Sequence, residues 1–105
     1  SYETAYTSLL AGTRTALPGV QLVVLEPFVL RVGYVDASWF PDFDDYRAAA
    51  RRVARVAGAT FVPLHDALQE LATKSSPAYW AADGVHPTLA GHQAIAHQWL
   101  KAVKL

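Results

Sequence analysis

The segment Val20-Gln21-Leu22-Val23-Val24-Leu25 constrains this chain more than any other. It is a nearly unbroken apolar run of strand length, and such runs belong to strands covered on both faces, as in a parallel sheet. Parallel strands must be joined by crossovers, usually helices, and the surrounding sequence supplies them. Tyr2, Tyr6, Leu9, Leu10, Thr13 and Leu17 recur at helical spacing, giving an amphipathic helix ended by Pro18-Gly19. Residues 43–57 read as a second helix, opened by the charges of Asp42, Asp44 and Asp45 and closed by Gly58 at the capping position. Ala59-Thr60-Phe61-Val62 is a second short strand, ended by Pro63. Leu64, Leu68 and Leu71 then line a third helix, with Asp66 as its starting cap.

The remaining segments are less regular. The stretch from Val29 to Pro41, with Gly33 and Trp39, has no clear period and reads as a loop, as does the stretch from Lys74 to Pro87. Thr88 is a fitting N-cap for a last helix, whose inner side is expected to carry Leu89, Ala96, Trp99, Leu100 and Val103. Helices alternating with strands define an α/β layer fold. Two strands make a poor sheet, however, since three or more is the usual minimum. Further strands are therefore expected before Ser1, and residues 1–105 are expected to form part of a single larger domain.

Composition supports that reading and narrows the function. The chain has 105 residues, no methionine, and opens at Ser1-Tyr2-Glu3 already in a helical pattern. Its mean hydropathy of +0.14 is high for so small a unit, whose surface share should be large. Nine basic residues balance nine acidic ones, so nothing marks a nucleic-acid or anionic-membrane partner. No apolar run approaches the roughly 18 residues of a membrane span. The absence of cysteine removes disulfides, thiolate metal sites and cysteine nucleophiles. The compartment stays open, with a soluble cytoplasmic chain the favoured expectation.

The chemistry concentrates in Asp83-Gly84-Val85-His86-Pro87-Thr88-Leu89-Ala90-Gly91-His92. An Asp and a His three apart, with Gly84 permitting a tight turn, can face each other so that the carboxylate accepts the imidazole Nδ1–H. That fixes the tautomer and leaves Nε2 free as a general base. Pro87 biases His86 toward an extended backbone and holds it at the mouth of the last helix. The plainer alternative is a turn in which Asp83 caps backbone amides and His86 is only structural.

The block Asp83 to Gly91 resembles the last conserved block of the SGNH (GDSL-type) hydrolases, D-G-x-H-P-T-x-x-G. The run from Leu17-Pro18 through Val23-Val24-Leu25-Glu26-Pro27-Phe28 resembles that family's penultimate core strand and the loop after it. The resemblance implies a flavodoxin-like three-layer α/β/α fold with five parallel strands, of which this chain holds the last two. It implies ester hydrolysis through an acyl-enzyme, with Asp83 as the triad acid, His86 as the base, and no metal or organic cofactor. The family's nucleophilic serine and its oxyanion-hole glycine and asparagine have no match here. Ser1, Ser8, Ser38, Ser75 and Ser76 lack the required context, so the chain alone is expected to be inactive, and the missing N-terminal half of the domain is its expected partner.

Two aromatics stand near this block. Trp39 in the loop after the first strand and Trp80 before Asp83 could stack on a sugar ring or wall an acyl pocket, pointing to a small-ester or carbohydrate-ester substrate; core-rim packing or a subunit contact is the alternative. His92 and His97 stand roughly 140° apart on a helix, against a metal site with His86. His65-Asp66 lacks the further ligands of a metal-dependent phosphohydrolase. Arg47, Arg51 and Arg55, with Arg52, read as a solvated face or a contact with another subunit of a homo-oligomer. The rival reading of the whole chain is a non-catalytic α/β binding or interaction module; a nucleotide-binding half lacks the Gly-rich turn it would need.

Overall fold

Strand β1 (Val23–Leu25) lies parallel to strand β2 (Thr60–Val62), with Val23 opposite Thr60, Val24 opposite Phe61 and Leu25 opposite Val62. The computed structural model describes residues 1–104. Only half of the apolar run joins the ladder, because β2 begins at Thr60 and offers partners no earlier; the Thr60 N–H donates to the Leu22 carbonyl as the last link. Helix α1 (Tyr2–Ala16) precedes β1 and helix α2 (Asp42–Ala57) crosses over to β2. Helix α3 (His65–Lys74), the short α4 (Pro77–Trp80) and α5 (Leu89–Ala102) follow. The chain is thus an α/β unit with a two-stranded parallel sheet and helices on both of its faces.

Alternation along the strands divides the core. Val24, with Phe61 half-buried beside it, faces α1 and α2 and packs on Ala50, Ala54, Tyr6 and Leu10. Val62 faces the other way, with Leu64, Val103, Trp99 and Ile95. Gly58 ends α2 in the left-handed conformation, with φ of 65°, that leaves its N–H free to meet the Ala54 carbonyl. Arg14, near the end of α1, donates to the Ala57 carbonyl at 2.8 Å, where the negative end of α2 favours a cation.

Several expectations change. Leu9 and Leu17 point to solvent, so the buried stripe of α1 is narrower than its apolar spacing. The inner face of α5 is Gly91, Ala94, Ile95, Trp99 and Ala102, and Leu89, Ala96 and Leu100 are exposed. That helix is apolar around much of its circumference, which leaves its orientation to the packing of Gly91 against the Trp80 carbonyl. The 74–87 loop contains α4, and the 29–41 loop contains a 3₁₀ turn (Ala37–Trp39) and buries Val29, Leu30 and Val35. The arginine stripe of α2 is largely engaged. Arg47 meets Glu26, Asp44 and Asp66, Arg52 pairs with Glu3, and Arg51 lies 4.5 Å over the Phe61 ring.

Asp66 does not cap α3. Its side chain is exposed, and the cap comes from Glu26, at the carboxyl end of β1. Glu26 Oε1 accepts from the Leu64 and His65 N–H groups at 2.9 and 2.8 Å, while Oε2 accepts from Arg47 Nε at 3.2 Å. A carboxylate buried to 3% exposure is tolerated here because both oxygens are bonded and one partner is a cation.

Candidate active site

The turn after Ala81 is built by Asp83. Its Oδ1 accepts from the N–H groups of Val85 and His86 at 2.9 and 2.8 Å, and its Oδ2 lies 2.5 Å from Nδ1 of His86. Turn-building and imidazole binding, alternatives on sequence, are here divided between the two oxygens of one carboxylate. The His86 and Val85 N–H bonds and the imidazole hold the Asp83 carboxyl well below the usual carboxylate range. The His86 side chain is 83% exposed, and no described residue bonds its Nε2. An ionised acceptor on Nδ1 with an open Nε2 is the arrangement a general base requires.

The backbone beneath the pair is clamped from both sides. Gly84 donates to the Ala81 carbonyl and accepts from the Leu30 N–H at 2.9 Å, and the Asp83 carbonyl accepts from the Tyr34 N–H at 3.1 Å. The loop after β1 therefore grips the Asp83–Gly84 peptides. The approach is so close that a Cβ at Gly84, with φ of +91°, would meet the Val32 carbonyl oxygen at 2.5 Å. On the far side, Thr88 caps α5 by accepting from the Gly91 N–H at 3.1 Å, and its hydroxyl donates to the Tyr79 carbonyl. A Cβ at Gly91 would lie 2.1 Å from the Trp80 oxygen. The glycines and threonine of the block thus set where the Asp83–His86 turn enters its helix.

Trp39 and Trp80 both pack against the segments that hold this turn. Trp39 donates its indole N–H to the Tyr34 carbonyl at 3.0 Å and leans, with Val85, on Val29, Val35 and Phe43. Trp80 donates to the Leu71 carbonyl at 3.1 Å and leans on Leu30, Leu68 and Ala81. Both indoles are half-buried, with their polar atoms bonded to backbone. Sequence reasoning assigned no role to Glu26 or to His65 beside it. The available signal was an acidic residue placed directly after an apolar strand run, a costly position unless its charge is bonded.

Among the described residues no group of three or more His, Cys, Asp or Glu side chains could hold a metal ion, and no helix is long and apolar enough to cross a membrane.

Residues 1–94 match the GDSL-like Lipase/Acylhydrolase family, and the chain belongs to it. An acetylxylan esterase from Geobacillus stearothermophilus is 28% identical over 102 residues, 97% of this chain and 45% of that protein. A GDSL-like lipase structure from Parabacteroides merdae superposes with a TM-score of 0.91 at 37% identity, covering 94% of this chain and 46% of the other. A catalytic mutant of the Geobacillus esterase, with a serine replaced by alanine, superposes with a TM-score of 0.77 at 26% identity, over 94% of this chain and 44% of that one. The chain therefore spans a little under half the length of these relatives.

Proposed function

We propose that residues 1–105 are the C-terminal part of one SGNH-type hydrolase domain and supply the acid and base of a serine esterase. The observation that carries this is the contact between Asp83 Oδ2 and His86 Nδ1 with Nε2 left open. In the proposed reaction a serine hydroxyl from the preceding part of the domain attacks the ester carbonyl while Nε2 takes its proton. The tetrahedral intermediate collapses, and the imidazolium gives that proton to the departing alkoxide. Water then attacks the acyl-serine, losing its proton to Nε2, and the serine regains a proton as the acid leaves. Asp83 stays ionised throughout, orienting the ring and stabilising its charged form. The serine-to-alanine catalytic mutant of the relative supports a serine nucleophile.

The substrate proposed is an acetyl or other short-acyl ester, on a carbohydrate, as the acetylxylan esterase relative supports. Trp39 and Trp80 would wall the acyl or sugar site. The chain alone, without nucleophile and oxyanion donors, would be inactive. The test is hydrolysis of p-nitrophenyl acetate by the protein joined to the preceding segment of its gene, with and without His86→Ala. Turnover that survives the substitution at near-normal rate removes His86 from this role, and a clear preference for long-chain over acetyl esters refutes the substrate class.

A further inference from the structure

Behind the Asp83–His86 turn, Val29 is held by both of its polar backbone groups. Its N–H donates to Nδ1 of His65 at 3.4 Å, and its carbonyl accepts from Nε2 of Gln69 at 3.2 Å. His65 and Gln69 are one turn apart on α3, and Gln69 Nε2 lies 3.3 Å from the second ring nitrogen of His65. His65 is 6% exposed and is wedged against the Phe43 ring, with centroids 5.3 Å apart. The backbone N–H of His65 is bonded in turn by Glu26, which fixes the start of α3 relative to β1.

Val29 is the residue before Leu30, whose N–H donates to Gly84, and it stands at the root of the loop whose Tyr34 N–H donates to Asp83. These hydrogen bonds, joined by the chain from Val29 to Tyr34, connect α3 to the backbone carbonyls of Asp83 and Gly84. We infer that His65, assisted by Gln69, is a positioning residue for the Asp83–His86 pair, holding Val29 so that the loop after β1 fixes the carbonyls of Asp83 and Gly84. The inference rests on the triad reading above and deepens it. A packing role alone would have been met by an apolar residue at position 65, whereas here both Val29 groups find side-chain partners, and among the described residues no buried side-chain polar atom lacks one.

The test reads the turn directly. In the protein, amide exchange at Leu30 and Tyr34 is followed by NMR, together with the low-field Nδ1–H proton of His86 bonded to Asp83. His65→Leu removes the acceptor. It is expected to speed exchange at Leu30 and Tyr34 at least about tenfold relative to Val53 in α2, and to broaden or lose the low-field signal. His65→Asn, whose Oδ1 can accept from Val29, is expected to restore both. Unchanged exchange at the two amides in folded His65→Leu overturns the inference, and so does acceleration shared equally by Val53. Should His65→Leu not fold, Gln69→Leu decides, with faster exchange at Leu30 and Tyr34 supporting the inference and unchanged exchange overturning it. None of these readouts needs turnover, so absence of esterase activity in the longer protein would defeat the triad reading while leaving the exchange result to stand or fall separately.

Discussion

Gly33 sits against Asp83 with no space for a side chain: a Cβ on Gly33, whose φ is +61°, would lie 2.6 Å from both the Cα and the carbonyl oxygen of Asp83. Two penalties therefore meet in any substitution, the left-handed backbone and a clash with main chain that cannot swing aside. Gly33→Ala is expected to cost about 2–4 kcal/mol, from strain of about 1 kcal/mol and overpacking of about 1–3 kcal/mol. Urea denaturation checks the stability. Under the proposed function the same variant should also lower turnover, because relief of the clash moves Asp83.

Asp83→Asn separates charge from shape. Asparagine can still accept the Val85 and His86 N–H bonds through one oxygen, but it presents no anion to Nδ1. If the protein joined to its preceding segment hydrolyses esters as proposed, its kcat is expected to fall by about 10⁴-fold, with the fold intact by circular dichroism. The carboxyl is held low by its bonds from His86 and Val85. It therefore contributes stability that is complete above its ordinary value of 3.8 and is lost as the pH drops toward the lower folded value. The decline in stability below about pH 4 should therefore be smaller in Asp83→Asn than in the unaltered protein, as urea midpoints on either side of that pH would show.

Glu26→Ala is expected to cost about 2–4 kcal/mol, because it leaves the Leu64 and His65 N–H groups unmet and removes the buried one of Arg47's three carboxylate partners, Asp44 and Asp66 remaining. Glu26→Gln keeps one acceptor for those amides and should cost less. Thermal denaturation of the two variants side by side checks the order. Equal stability of both with the unaltered protein would show that the buried carboxylate is dispensable.

His65 gives a pH signature of opposite chemical origin from Asp83 but the same sign. Burial first, and Arg47 second, push its pKa below 6.5, while Glu26, Asp66 and Asp44 oppose them. The folded protein thus binds fewer protons at this site than the unfolded chain. Stability is expected to be complete above about 6.5 and to decline as pH falls toward the folded value, below which the loss is constant. His65→Asn should flatten that portion of the stability–pH curve, as measured by urea midpoints across pH 4.5–8 at spacing of about half a unit.

What could be read from the sequence follows the range of each interaction. Helix α2 was legible because its signals are local: acidic residues in its first turn and Gly58 at its end. The α5 start was legible for the same reason, since Thr88 and Gly91 are three apart. The proximity of Asp83 to His86 also lies within one turn. The Glu26 cap spans 38 and 39 residues, and the Val29–His65 bond spans 36. No local pattern encodes such pairings, so Asp66 looked like the natural cap although Glu26 had already taken the amides. Trp39 and Trp80 show the converse limit, because a sequence gives the ring but not the carbonyls to which its N–H is tied.

The ladder between β1 and β2 uses the Leu22 carbonyl and the Glu26 N–H, so by alternation the peptide groups of Val23 and Leu25 turn to the opposite margin. Leu25 is 42% exposed beside them. An unclaimed margin of this kind is adhesive: it will take whatever extended backbone arrives first. With that rim uncovered and the chain concentrated, this polypeptide should recruit copies of itself along it, and its solubility would then be governed by three residues that take no part in the Asp83–His86 pair.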